Sequence, residues 1–111
     1  MNQGISTVIY PVKDLARAKS IFHQLLGVEP YMDQPYYVGF RVEGQEIGLD
    51  PNSHKEGMTA YCHVEDIRHS LQALLDAGAQ IQGELKDVGG GRLVASVQDA
   101  DGNIIGLLQQ S

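Results

Sequence analysis

Apolar residues recur at helical spacing in two stretches of the chain, VKDLARAKSIFHQLLG and VEDIRHSLQALLDAGA. Asp14 and Asp66 precede the two apolar runs and suit the N-cap, because an aspartate carboxylate accepts from free amides of the first helical turn. Gly27 and Gly78 are predicted to end the helices. The predicted buried faces consist of Leu15, Ala18, Phe22, Leu25 and Leu26 in the first helix and of Ile67, Leu71, Leu74 and Leu75 in the second.

Strand-like runs flank both predicted helices. ISTVIYPV and TAYCHV precede them, and runs that include YYVGFRV and QEIGLD, then RLVASVQ and IIGLLQ, follow them. A Glu43-Gly44 turn is predicted inside the first pair of runs and a DADGN turn inside the second. The order βαβββ is therefore predicted twice. The hexapeptide GQEIGL from Gly44 is also nearly repeated as GNIIGL from Gly102, which supports an internal duplication.

The length of 111 residues suits one domain built from two such modules. We place module one at about residues 1–51, a polar and turn-rich linker at about residues 51–58, and module two at about residues 59–111. The mixture of helices and strands predicts the α+β class.

Charge and cysteine content narrow the range of partners. Eight basic and 14 acidic residues give a net charge of −6, which disfavours nucleic acid and anionic membranes and is compatible with a cationic ligand. Cys62 is the single cysteine, so the sequence predicts no internal disulfide. No apolar run has membrane-spanning length and no signal-peptide pattern opens the chain, so the expected location is cytoplasmic.

The paired βαβββ modules, the VKDL strand-to-helix entry and QDADGNIIGLLQ near the end resemble the vicinal oxygen chelate superfamily. That group includes glyoxalase I, bleomycin resistance proteins, fosfomycin resistance enzymes, extradiol dioxygenases and methylmalonyl-CoA epimerase. The resemblance implies a curved, half-open mixed sheet with the helices on its outer face. It also implies a small-molecule ligand and a homodimer, since many members dimerise to complete their ligand clefts.

The resemblance further implies where metal ligands would lie. Metal-dependent members hold one on the first strand of each module, five residues before the valine of V-x-D, and one between two apolar residues of the last strand. Here these positions are Thr7, Gly48, Thr59 and Gly106. Glycine has no donor and threonine is a weak neutral one. We therefore expect no metal and no cofactor, and we expect the former metal site to be open space.

Strand alternation predicts which side chains face the ligand cleft. Arg41 should pair opposite Glu46, and Gly39 opposite Gly48, with Tyr37 opposite Asp50. The helix-facing residues should include Val8, Tyr10, Val12, Val38, Phe40, Ile47, Leu49, Ala60, Cys62 and Val64. The predicted ligand-binding residues are Thr7, Ile9, Tyr37, Arg41, Gly48, Asp50, Thr59, Tyr61, His63, Ile104, Gly106 and Leu108.

Several of these residues also have a purely structural interpretation. Arg41 and Glu46 could be a solvated cross-strand pair, and Tyr37 and Tyr61 could be packing residues instead of stacking platforms. His63 is a weak candidate for acid–base catalysis, and a satisfied strand histidine is the competing interpretation. The other histidines, His23, His54 and His69, are expected to face solvent.

The sequence favours a metal-free binding protein of the glyoxalase/bleomycin-resistance type over an enzyme. Its ligand would be an organic molecule, cationic or aromatic, held in a cleft of a homodimer. The alternative is a glyoxalase-like lyase, isomerase or dioxygenase that uses no metal or a metal site rebuilt from His63, Asp50 and Glu46. A ligand-sensing or partner-binding module is a third possibility.

Overall fold

The order βαβββ is found twice in the computed structural model, which describes residues 4–52 and 57–110. His54 and residues 53–56 of the predicted linker lie outside these ranges. Neither helix within them is long and apolar enough to cross a membrane. The elements are β1 (Gly4–Pro11), α1 (Leu15–Leu26), β2 (Met32–Gln34), β3 (Tyr37–Val42), β4 (Gln45–Asp50), β5 (Thr59–His63), α2 (Ile67–Asp76), β6 (Gln80–Asp87), β7 (Leu93–Gln98) and β8 (Ile104–Gln109).

The chain divides into two compact units. The first unit is Thr7–Thr59, and the second contains the residues from Ala60 onward together with the start of β1. Each unit holds one helix and a mixed arrangement of strands, which confirms the α+β class. That the two units form one domain stays a prediction.

In the first unit the strand order is β2-β3-β4-β1, with β1 parallel to β4 and the other pairs antiparallel. Glu43 and Gly44 close the β3–β4 hairpin with φ angles of 51° and 82°, the backbone that a two-residue type I′ turn requires. This turn fixes the register, so Arg41 pairs with Glu46 and Gly39 with Gly48, as predicted.

The core of the first unit lies between α1 and one face of β3 and β4. Val38, Phe40 and Leu49 are fully buried there, and the rings of Tyr10 and Phe22 lie 4.9 Å apart at their centroids. The helix begins at its predicted cap, where Asp14 Oδ1 accepts from the amide of Arg17 at 3.0 Å. The residues packed around this core are Tyr10, Val12, Leu15, Ala18, Phe22, Leu26, Val28 and Ile47.

One residue of the predicted helix face was wrong. Leu25 is 72% exposed, while Leu26 packs on the core. The helix ends at Gly27, which adopts φ 71°, and of the two adjacent leucines in its last turn only Leu26 lies on the face that packs against the core. The helical spacing of apolar residues placed both Leu25 and Leu26 on the predicted buried face, so the sequence alone could not show which of them packs on the core.

In the second unit the strand order is β5-β8-β7-β6, with β5 parallel to β8. Asp66 Oδ1 accepts from the amide of His69 at 3.1 Å, so its predicted role as a cap is confirmed. The buried core is formed by Val64, Ile67, Ala95 and Leu107, and the side chains packed around it are Cys62, Leu71, Leu74, Leu85 and Leu93. Cys62 therefore faces the helix, as expected.

Candidate functional site

Two tyrosine rings lie on bare backbone in the first unit, where Gly39 and Gly48 are direct cross-strand partners. A Cβ at Gly48 would lie 2.2 Å from the hydroxyl of Tyr37 and 2.6 Å from Cδ1 of Ile9. A Cβ at Gly39 would lie 2.7 Å from Cε1 of Tyr31. Glycine is favoured at both positions because the rings occupy the space of a side chain, so that a Cβ there would have to displace a ring. The expectation of open space at Gly48 was therefore wrong.

The hydroxyls of these two tyrosines converge on one buried carboxylate. Oε2 of Glu46 accepts from Tyr31 at 2.6 Å and from Tyr37 at 2.5 Å. Glu46 is only 9% exposed, although it stands next to a surface turn. A buried carboxylate needs strong donors to offset the loss of water, and two hydroxyl groups supply them. Glu46 therefore fixes the positions of both rings.

Arg41 completes this cluster from the solvent side. Its guanidinium carbon lies 3.8 Å from the centroid of the Tyr31 ring, and its Nε lies 3.8 Å from Oε1 of Glu46. The Arg41 side chain is 61% exposed and that of Glu46 is 11% exposed. The interpretation as a solvated cross-strand pair is thus right for Arg41 and wrong for Glu46.

Tyr31 is the residue of this cluster that the sequence analysis missed. It precedes β2, and strand alternation gives no orientation for a residue outside a strand. Its amide donates to the carbonyl of Gly39 at 2.9 Å, which brings its ring onto that glycine. The only signal in the sequence was the aromatic segment PYMDQPYY leading into β3.

The second unit repeats the ring-on-glycine arrangement without the carboxylate. A Cβ at Gly106 would lie 2.6 Å from Cδ1 of Tyr61 and 2.9 Å from the carbonyl oxygen of Ala60. This space is also filled. Ile104 stands in the second hexapeptide where Glu46 stands in the first, so the strand offers no acceptor side chain there.

The remaining predicted ligand-binding residues are placed as follows. Thr7 and Thr59 are buried, with 2% and 8% exposure, and Thr7 is the register partner of Glu46. Asp50 ends β4 and accepts from the amide of Asn52 at 2.7 Å. The other two, His63 and Leu108, are register partners on β5 and β8. The helical histidines His23 and His69 are exposed, as expected.

These residues do not fit the metal that the resemblance implies. Two of the four implied ligand positions are buried threonines, and the other two are glycines covered by tyrosine rings. Across residues 4–52 and 57–110, no three His, Cys, Asp or Glu side chains lie close enough to hold a metal ion. Glu46, one of the donors considered for a rebuilt site, is engaged by Tyr31, Tyr37 and Arg41 instead.

Solved structures with the same fold are numerous. A glyoxalase/bleomycin resistance protein/dioxygenase superfamily member from Vibrio splendidus 12B01 has a TM-score of 0.73 and 19% identity, over 99% of this chain and 100% of that one. Methylmalonyl-CoA epimerase from Mycobacterium tuberculosis has a TM-score of 0.76 and 19% identity, over 99% and 89%. The Mn(II)-bound glyoxalase from Novosphingobium aromaticivorans has a TM-score of 0.73 and 18% identity, over 98% of this chain and 40% of that one.

At these identities the structural similarities establish the fold alone. No curated protein matches the sequence. The profile of the Glyoxalase/Bleomycin resistance protein/Dioxygenase superfamily matches residues 4–107, which is nearly the whole chain. The duplicated βαβββ order and this match agree, and the chain belongs to the glyoxalase/bleomycin resistance protein/dioxygenase superfamily.

Proposed function

We propose that this chain is a metal-free small-molecule-binding protein whose organic ligand stacks on the tyrosine rings of the first unit. The observation that carries the proposal is the pair of tyrosine rings fixed over Gly39 and Gly48, of which Gly48 stands where a metal-dependent relative would need a donor. Tyr31 is 39% exposed and Tyr37 is half-buried, so both keep surface that a ligand can reach. Binding needs complementary surface and no catalytic group, which agrees with this set of residues.

An aromatic ligand suits this surface best. The ring of Tyr37, held by the backbone of Gly48 on one side and by its hydroxyl bond at the edge, is pre-organised, so little conformational entropy is lost when a flat molecule stacks on it. Tyr31 is stacked with Arg41 and offers its edge. Ile9 adds apolar contact beside Tyr37. We also propose that the protein acts as a homodimer, which sedimentation equilibrium would test directly.

The test of stacking is a ligand screen followed by three tyrosine variants. Tyr37→Ala should weaken binding of an identified aromatic ligand about tenfold, since stacking contributes about 0.5–1.5 kcal/mol beyond area burial. Tyr36→Ala is the matched control, because Tyr36 is the neighbouring residue and is 60% exposed. Tyr10→Ala, which removes a ring packed on Phe22, should instead lower stability. Equal losses of stability and affinity in Tyr37→Ala would mean that Tyr37 is a packing residue and does not stack on the ligand.

The alternative enzyme with a rebuilt metal site is tested on the same preparation. Elemental analysis of untagged protein, purified without chelator, should give well below one transition metal per chain. A stoichiometric metal would contradict the metal-free proposal, and Glu46→Gln would then show whether the carboxylate is a ligand.

A further inference from the structure

The guanidinium of Arg41 is oriented but only partly used. Contact with the Tyr31 ring, whose centroid lies 3.8 Å from the guanidinium carbon, restrains the group, and the ion pair with Glu46 involves its Nε edge. The two terminal nitrogens have no hydrogen-bond partner within residues 4–52 and 57–110. With 61% of the side chain exposed, this unused edge is open to solvent.

An arginine whose guanidinium is held in place, with its terminal nitrogens exposed to solvent, is suited to bind a planar anion. The terminal nitrogens form a fixed fork that matches the two oxygens of a carboxylate, and stacking reduces the entropy lost when the pair forms. Glu46 does not consume the fork, because its Oε2 is satisfied by the two tyrosine hydroxyls and its Oε1 lies 3.8 Å from Nε.

We propose that Arg41 binds the carboxylate of an aromatic organic acid whose ring contacts the tyrosines of the first unit. The inference rests on the proposed binding function and adds the chemical class of the ligand. The stacked fork lies over the ring of Tyr31, and Tyr31 and Tyr37 are bonded to the same carboxylate oxygen. The charged contact and the stacking surface are therefore parts of one hydrogen-bonded cluster.

The net charge of −6 would by itself favour a cation. Charges spread over a protein surface are screened beyond about 8 Å at physiological ionic strength, whereas a bidentate pair acts at contact distance. The local acid, Glu46, is buried and already bonded, so the group that an incoming ligand meets first is the exposed arginine.

The test uses three probes that share a benzyl group and differ in the head group: phenylacetate, benzylammonium and benzyl alcohol. Affinities are measured by two-dimensional NMR titration of the whole protein at about 0.1 M salt. Phenylacetate should bind most tightly and shift the amides of β3 and β4. Arg41→Gln should weaken phenylacetate about tenfold and weaken benzyl alcohol much less, because the neutral head group makes no charged pair.

Arg41→Lys tests whether binding needs the two terminal nitrogens of the guanidinium or only a positive charge. Lysine keeps the positive charge but cannot form two parallel bonds, so it should restore less than half of the lost binding free energy. Arg17→Gln is the control for net charge, because Arg17 is an exposed arginine on α1, outside the cluster. It should leave all three affinities unchanged.

Two results would overturn the inference while leaving stacking in place. One is that benzyl alcohol binds as tightly as phenylacetate and Arg41→Gln affects neither. The other is that benzylammonium binds most tightly and Glu46→Gln removes that preference. Failure of phenylacetate to bind also overturns the carboxylate assignment. The proposed function is judged separately, by whether any ligand from the screen loses affinity in Tyr37→Ala.

Discussion

The two units share one backbone plan and differ in the chemistry placed on it. Each has a glycine in its last strand, Gly48 or Gly106, with a tyrosine ring lying against it. In the first unit the hydroxyl of that tyrosine is bonded to Glu46, while Ile104 holds the corresponding place in the second. In both units the glycine therefore has a structural role, because it leaves space for the tyrosine ring. The polar cluster depends on three further residues of the first unit, Glu46, Tyr31 and Arg41.

The units also differ in what lies beside the glycine. At Gly48 a new Cβ would meet the ends of two side chains, Tyr37 and Ile9. At Gly106 it would meet the ring of Tyr61 and also the carbonyl oxygen of Ala60, 2.9 Å away. The side chains of Tyr37 and Ile9 can shift, with some loss of the hydrogen bond from Tyr37 to Glu46, but a strand carbonyl moves only with its strand. The same substitution should therefore have different costs in the two units.

The largest expected effect comes from placing alanine at these glycines. We expect Gly106→Ala to destabilise the protein by about 3 kcal/mol and Gly48→Ala by about 1 kcal/mol, because overpacking is more costly where backbone must shift. Urea denaturation of the two variants and the parent measures the difference in unfolding free energy. Equal costs would mean that the carbonyl of Ala60 moves as easily as a side chain, which would contradict the proposed difference between Gly48 and Gly106.

The role of the Glu46 carboxylate can be tested by replacing Glu46 with isoleucine, the residue at the corresponding position of the second unit. Glu46→Ile leaves the hydroxyls of Tyr31 and Tyr37 without their acceptor, and we expect a loss of about 2 kcal/mol. Glu43→Gln, which changes an exposed carboxylate in the same hairpin, should have little effect and is the matched control. Near-UV circular dichroism should report loosened tyrosines in Glu46→Ile alone. An unchanged spectrum would show that the rings are held without Glu46.

A smaller effect is expected from a double-mutant cycle at Tyr37 and Gly48. If the ring is what excludes a side chain, then Gly48→Ala should cost about 1 kcal/mol less in a Tyr37→Ala background than in the parent. In the second unit, Tyr61→Ala should relieve Gly106→Ala only in part, since the carbonyl of Ala60 remains. Chemical denaturation of both sets gives the two coupling energies. Full relief at Gly106 would contradict the role given to the backbone.

The sequence predicted the fold well because the duplicated pattern constrained it twice. Alternation and the Glu43-Gly44 turn were enough to pair Arg41 with Glu46 and Gly39 with Gly48, since turn geometry sets register. The sequence could not show what fills the space beside a glycine. That depends on Tyr31, which reaches the sheet from outside a strand, and on hydroxyl bonds made across strands. Burial of Glu46 could not be predicted either, because residues beside hairpin turns are usually solvated.

The smallest expected effect concerns the turns that close the two hairpins. The β3–β4 turn uses two positive φ angles, whereas the β7–β8 turn is organised by Asp99, which accepts from the amides of Asp101 and Asn103. The side-chain bond from Asn103, followed by its amide bond, holds the pKa of Asp99 below the ordinary aspartate value. This stabilisation should be complete above about pH 4 and be lost as the pH falls through the lowered pKa of the folded state.

Asn103→Ala removes the largest of these contributions and should raise the pKa of Asp99 toward its ordinary value. A carboxyl-carbon NMR titration measures this shift directly. Gln98→Ala is the matched control, because Gln98 bonds the carbonyl of Gly102 in the same turn and should leave the titration of Asp99 unchanged. The loss of stability at neutral pH should be the smallest among the variants, since the carboxylate is solvent-exposed and its interactions are screened. A pKa that stays low in Asn103→Ala would assign the stabilisation to the backbone amides, so that the turn would depend on its backbone geometry as the β3–β4 turn does.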